Sequence, residues 1–97
     1  MFMTMMTRVQ GKYRQGKKHG RWSLCYPTGE KWQEGPYSGD QKHGHWIIWY
    51  QDGAKASEGE YFKGQRHGLW VFWGEQGGKL AEVDYHHGLV VGLRASA

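Results

Sequence analysis

His19, His43 and His67 recur every 24 residues, each followed by a glycine. A row of imidazoles suggests zinc or a related ion, because imidazole nitrogen suits those metals. If each interval is a pair of neighbouring strands, however, the rings are attached ~10 Å apart, whereas zinc ligands sit ~2 Å from a shared ion. One ion then joins at most local pairs, such as His43 with His45 or His86 with His87. The row reads as structural or turn-capping, and no metal or other cofactor is expected. Cys25 has no Cys or His at ligand spacing and reads as a packing residue. As the single cysteine it forms no internal disulfide, which fits a reducing cytoplasm. Paired with a histidine it would be the one nucleophilic arrangement, but His19 and His43 fall at loop ends, away from it. Glu34, Glu58 and Glu82 also recur every 24 residues, ~10 Å apart by strand spacing and somewhat beyond the separation used by inverting glycosidases. No nucleophile, base and orienting group come together, so an enzyme is not expected.

The cations are the other candidate chemistry. Lys17 and Lys18, then Lys42, then Arg66 precede the three histidines. They fall on equivalent turns and would form one ridge along a sheet edge. With a formal charge of +4, such a ridge suits an anionic membrane surface. Nucleic acid is not expected, because Glu34, Glu58, Glu60, Glu82 and Asp84 share one face of the sheet and would repel phosphate there.

These side chains are positioned by an internal repeat, the first thing to seek in a short chain. Gly11-Lys12-Tyr13 returns as Gly35-Pro36-Tyr37 and Gly59-Glu60-Tyr61, then degenerately as Val83-Asp84-Tyr85. His19-Gly20 returns as His43-Gly44 and His67-Gly68, with Val91-Gly92 in a last partial copy. Trp22, Trp46 and Trp70 follow two residues after that glycine, and Gly29, Gly53 and Gly77 keep the same step. The copies are 11–34, 35–58 and 59–82, with a partial copy at 83–92. Residues 1–10 are an N-terminal extension, partly disordered or a first strand, and 93–97 a tail.

Within a copy, Trp46-Ile47-Ile48-Trp49-Tyr50 and Leu69-Trp70-Val71-Phe72-Trp73 are aromatic and β-branched, bounded by glycine, and too short for helices. Asp52-Gly53 signals a tight two-residue hairpin, and Thr28-Gly29 and Gln76-Gly77 hold the same slot. The other connection, Arg14 to Arg21 and its equivalents, reads as a slightly longer loop. Each copy is thus two antiparallel strands. The whole is all-β: a single-layer meander of about eight strands, elongated and twisted. Counting back from Thr28-Gly29, Tyr26 opposes Lys31, Leu24 opposes Gln33 and Trp22 opposes Gly35, so that an indole covers bare backbone. Trp22, Trp46, Trp70, Tyr37, Tyr61 and Tyr85 share one face by parity. Trp32, Trp49, Trp73, Leu80 and the repeated acids lie on the other, with Cys25 facing Trp32, Trp49 facing Ala56 and Trp73 facing Leu80.

Composition agrees with an open repeat. Leu, Ile, Val and Phe make up 15 of 97 residues, thin for a globular core. Yet 15% of the chain is aromatic, with six Trp and 16 Gly, unlike a disordered chain. No apolar stretch approaches the ~20 residues of a membrane helix, and Met1 to Thr7 is too short and poorly flanked for a secretory signal.

The order Gly-x-Tyr, then Gly-x-x-His-Gly-x-Trp, then a glycine turn resembles the MORN repeat, and more closely the variant repeats of bacterial proteins described as antitoxin components of toxin–antitoxin modules. Its carriers are Tyr13, Gly16, His19, Gly20, Trp22 and Gly29; Tyr37, His43, Gly44, Trp46 and Gly53; and Tyr61, Gly64, His67, Gly68, Trp70 and Gly77. The likeness spans roughly Gly11 to Gly92. The usual repeat has a second glycine where Trp22, Trp46 and Trp70 stand, and Asp40 replaces the loop glycine seen at Gly16 and Gly64. Asp tolerates the left-handed conformation, so that loop is expected to survive. The resemblance implies an elongated hairpin ribbon acting as a non-enzymatic interaction scaffold. Surface arithmetic points the same way: a single layer leaves both faces open, and Trp32, Trp49, Trp73 and Leu80 stand at positions that differ between copies. They are the candidate partner-binding residues, on the rule that exposed apolar patches mark interfaces. The expected partner is another protein. Homo-oligomer formation through a sheet edge or the aromatic face is a second mode, and an anionic membrane met by Lys17, Lys18, Lys42 and Arg66 is the alternative.

Overall fold

The computed structural model describes residues 8–96. They form one antiparallel sheet without helices: β1 (Arg8–Arg14), β2 (Lys17–Cys25), β3 (Lys31–Ser38), β4 (Gln41–Lys42), β5 (Gly44–Trp49), β6 (Lys55–Phe62), β7 (Gln65–Trp73), β8 (Lys79–His86) and β9 (Leu89–Ala95). Strand order follows chain order, with β4 pairing β3 ahead of β5. This is the expected meander, with nine strands because one position is split. β4 and β5 together fill the place that β2 and β7 fill alone. The break falls at His43, beside Pro36. The equivalent pairs, Lys12 with His19 and Glu60 with His67, remain in register. Proline has no N–H to give, so only the 3.1 Å bond from the His43 N–H to the Pro36 carbonyl persists there.

The sheet measures 41 × 30 × 20 Å with a radius of gyration of 14.6 Å, against roughly 12.5 Å for a compact chain of this length. The first strand begins at Arg8 and β9 runs through Ala95. The assigned extension therefore contains strand from residue 8, and the assigned tail at 93–97 starts inside one; residues 1–7 and 97 lie outside the described part.

The two kinds of turn are exchanged relative to expectation. The glycine turns after the Trp strands are three-residue loops: Gly29 N–H bonds the Tyr26 carbonyl at 2.9 Å, and Tyr26 N–H bonds the Glu30 carbonyl at 2.8 Å. Gly53 and Gly77 repeat the arrangement, and in each loop the glycine alone has positive φ. This is a type I turn completed by a left-handed glycine. The supposed longer loops are instead two-residue turns, with Arg14 facing Lys17 and Phe62 facing Gln65. Both central residues there are left-handed: Gln15-Gly16, Gly39-Asp40, Lys63-Gly64 and His87-Gly88. Asp40, at φ 70°, does hold its turn, and its carboxylate accepts the Lys18 N–H at 2.7 Å.

Trp22 does face Gly35, Leu24 faces Gln33 and Trp46 faces Gly59. Beyond Leu24 the register shifts, so Cys25 faces Lys31 and not Trp32. Likewise Trp49 faces Lys55, and Trp73 faces Lys79. The expected pairs with Trp32, Ala56 and Leu80 are thus displaced by a bulge that follows from the extra loop residue.

Trp22, Trp46 and Trp70 form the core, and the last two are wholly enclosed. Each indole lies over the glycine of the strand before it, not over the facing one. A Cβ on Gly11 would stand 2.0 Å from Trp22, one on Gly35 2.3 Å from Trp46, and one on Gly59 2.4 Å from Trp70. The indole N–H groups bond the carbonyls of Lys12, Pro36 and Glu60 at 3.1, 2.8 and 2.9 Å. Tyr13, Tyr37, Tyr61 and Tyr85 alternate with them edge-on, at ring separations of 5.1–6.5 Å, a favourable aromatic geometry.

Candidate functional site

Lys18, Lys42 and Arg66 enter the aromatic face because each sits an even number of residues before its Trp. Lys18 Nζ lies 5.4 Å from the Trp22 ring and 5.0 Å from Tyr37. Lys42 bridges Trp46 and Tyr61 at 4.5 and 5.1 Å. The Arg66 guanidinium covers Trp70 and Tyr85 at 4.8 and 5.4 Å. Such placements gain cation–π attraction. The expected ridge is therefore a row of half-buried cations on the sheet, set in strands and not on loop tips. Lys17 is exposed and lies outside this row. Lys42 gives a hydrogen bond to Gln33 at 2.9 Å, and Arg66 gives one to the Tyr85 hydroxyl at 3.0 Å. Among the described residues none of the three is ion-paired with a carboxylate. Burial, followed by the charges of Arg66 and Lys18, lowers the Lys42 pKa.

The reverse face is neutralised in place. Lys31, Lys55 and Lys79 reach Glu34, Glu58 and Glu82 at 3.1, 2.8 and 2.8 Å. Ser23 adds a hydrogen bond to Glu34 at 2.8 Å, and Arg94 reaches Glu82. His45 lies between Glu58 and Glu60 at 2.7 and 2.8 Å. Burial works against the charged form of His45, but the two carboxylates outweigh it and raise its pKa. Burial also opposes ionisation of Glu34, yet Ser23 and Lys31 prevail and its pKa falls. Lys79 and Arg94 bring Glu82 down to about 2. Each glutamate is occupied by its own lysine, which suits a structural pair better than a reacting one.

Trp32, Trp49 and Trp73 occupy this side but are half-buried. Tyr26 packs on Trp32 at 6.4 Å, and Lys31 and Lys55 lie over Trp49 and Trp73 at 5.9 and 6.0 Å. Leu80 alone of the four candidates is well exposed, at 56%. The tyrosine hydroxyls of Tyr26 and Tyr50 tie copies together by bonding the Trp49 and Trp73 carbonyls at 2.6 Å.

Sequence reasoning passed over the two ends of the ribbon as an apolar surface. Among the described residues nine large apolar side chains stand exposed, and six are on the edge strands: Val9 and Tyr13 on β1, and Leu89, Val90, Val91 and Leu93 on β9. Leu80 is also exposed, on β8, and its carbonyl accepts the Ser96 N–H at 2.8 Å just past the end of β9. The apolar run Leu89-Val90-Val91 and the Arg94 that stands 24 residues after Trp70 were legible in the chain, but the exposure of these side chains became visible only in the fold.

Of the three repeat histidines expected to be structural or turn-capping, two cap turns. His43 Nδ1 accepts the Lys63 N–H at 3.2 Å, and His67 Nδ1 the His87 N–H at 3.4 Å. The sheet also does what spacing did not suggest: it carries His67 to the local pair His86–His87, with the three rings 4.5–5.3 Å apart. Cys25 is buried at the end of β2. A shallow depression lined by Tyr50, Gln51, Asp52, Glu75 and Gln76 lies between neighbouring turns; its tyrosine hydroxyl is already committed to Trp73. Among the described residues, no helix is long and apolar enough to cross a membrane. No family model matches the chain, and no curated protein matches it.

Proposed function

We propose that this chain is a MORN-like repeat scaffold that works without catalysis, by stoichiometric binding of another protein, as an antitoxin-like or regulatory protein of the cytoplasm. The supporting observation is the apolar C-terminal edge. Soluble sheets blunt their edges with charge, proline or bulges; β9 has a bulge at Val91, yet it presents Leu89, Val90, Val91 and Leu93 with Arg94 as its one charged residue. An extended segment of a partner protein adding a strand to β9, with apolar side chains over Leu93, would satisfy both its backbone and its side chains. Trp49 and Trp73 are flanking contacts in this reading, since lysines already cover them.

Affinity capture from the source cells tests the proposal. Val91→Lys and Leu93→Lys are expected to abolish capture of a specific protein while the sheet persists by circular dichroism. Capture undiminished by these variants but lost on Trp49→Ala with Trp73→Ala would move the interface to the reverse face. Pairing of β9 with β1 of a second copy is the homo-oligomeric mode, and sedimentation velocity over a range of concentrations distinguishes it. The unneutralised row of Lys18, Lys42 and Arg66 supports a second reading, an anionic membrane surface. It expects co-sedimentation with anionic vesicles that fades as salt rises; no sedimentation at low salt rejects it.

A further inference from the structure

His43 and His67 each accept an N–H from the two-residue turn of the following hairpin, and what they meet differs. At the same spacing after His19 the chain carries Ser38-Gly39, and beside His43 that place holds Phe62-Lys63. Beside His67 it holds His86-His87. One position of the repeat is thus used twice for turn support and only once to assemble imidazoles.

We propose that His67, His86 and His87 form a binding site for one divalent transition-metal ion, with Zn2+ the best fit. One nitrogen from each ring lies within 4.8 Å of those of the other two. Three points no farther apart than that share a centre within roughly 2.8 Å of each, against ~2.0–2.1 Å for a Zn–N bond. Closing the gap takes less than about 1 Å per ligand, on the same comparison with zinc bond lengths. The exposed side chains of His86 and His87 can supply it by side-chain rotation. Three neutral imidazoles suit zinc, copper or nickel and disfavour calcium and magnesium, which take oxygen ligands. The geometry leaves the fourth position of a tetrahedral ion to water or to a ligand from outside.

The surroundings fit a seat for the ion. Phe62 lies 5.9 Å from both His67 and His87 by ring centroids and walls one side. The backbone bond that His67 already makes, to the His87 N–H, is 3.4 Å long, at the weak limit for such bonds, so a metal competing for either nitrogen of His67 displaces little. The ion would also do something for the fold. It would clip β7 to the β8–β9 turn, the hairpin whose copy lacks an indole.

Isothermal titration of the full chain with Zn2+ tests the site. One ion per chain is expected, with no comparable binding of Ca2+ or Mg2+. Co2+ in its place is expected to show the strong visible absorption of a tetrahedral ion. His86→Gln and His87→Asn are each expected to weaken Zn2+ binding by roughly tenfold or more, and His43→Gln to leave it unchanged. Asn is chosen because position 87 has φ 48°, which Asn tolerates. Zn2+ should raise the melting temperature of the wild type and not of the double variant. His67→Gln should behave alike; if it fails to fold, the two turn variants decide the matter alone. No saturable binding, one ion per two chains, or full affinity in the His86→Gln, His87→Asn double variant would overturn the proposal.

Discussion

Trp46 is fully enclosed on one side of the sheet, while its immediate neighbours on the other side, His45 and Glu58, sit in a partly exposed ion-pair network. The aromatic side is fixed by shape: an indole fills the space where a glycine has no side chain, and a single added carbon at Gly35 would overlap it. The reverse side is fixed by charge, with pairs 2.7–3.7 Å long whose cationic partners stand about half open to water. Interior packing is intolerant of added or missing volume, whereas exposed ion pairs contribute little each. Two faces of the same strands, built from the same repeat, therefore divide the tasks of holding the ribbon together and keeping it neutral.

Breaking the aromatic side should have the largest effect. Trp46→Ala is expected to cost about 3–5 kcal/mol, read from urea unfolding, and Gly35→Ala about 1–3 kcal/mol although it adds one methyl. A melting curve like the wild type's for Trp46→Ala would contradict the division of tasks. Lys42 gives the next largest. Its pKa is lowered in the fold from the usual 10.5, so the unfolded chain holds more protons in the window below that value. Stability should rise as pH climbs through this window, by about 1 kcal/mol or less after solvent screening. Lys42→Met should remove that rise when both chains are melted across the alkaline range.

His45 sharpens the comparison in the opposite sense. With its folded pKa above the usual 6.5, its contribution is complete below the unfolded value and is lost as pH rises through the folded one. His45→Gln should erase this loss, a difference of a few tenths of a kcal/mol at most. The smallest effect is expected from Lys79→Ala. The Glu82 carboxyl, held at about 2, should titrate nearer its usual value by NMR, with the melting temperature at neutral pH essentially unmoved. A marked fall in melting temperature would assign this face a larger share of the stability.

The repeat, the meander and the membership of each face could be read from the chain, because periods of 24 and of 2 are carried by residues as distinctive as Trp and Gly. Turn geometry was not. Asp52-Gly53 signals a two-residue hairpin by composition, but the same pair also closes a type I turn with its glycine left-handed. Gln15 and Lys63 are poor candidates for positive φ, yet both adopt it, as does His87. What holds two of these turns is tertiary: Lys63 and His87 give their N–H groups to His43 and His67, while Gly64 and Gly88 bond the Lys42 and Arg66 carbonyls at 2.8 Å. Local propensity cannot see a partner twenty residues back. The same long-range docking brings His67 to His86 and His87, and for that reason a spacing argument limited to local pairs stopped one ligand short.

Because the indoles of Trp22, Trp46 and Trp70 each rest on the glycine of the strand before, the ribbon is laid like roof shingles and its two ends are not equivalent. Stripping away β1 would bare Trp22, whereas trimming β9 uncovers no tryptophan at all. A chain emerging from synthesis lays each shingle onto one already set, so an extra 24-residue cassette spliced between copies should lengthen the row without disturbing either neighbour.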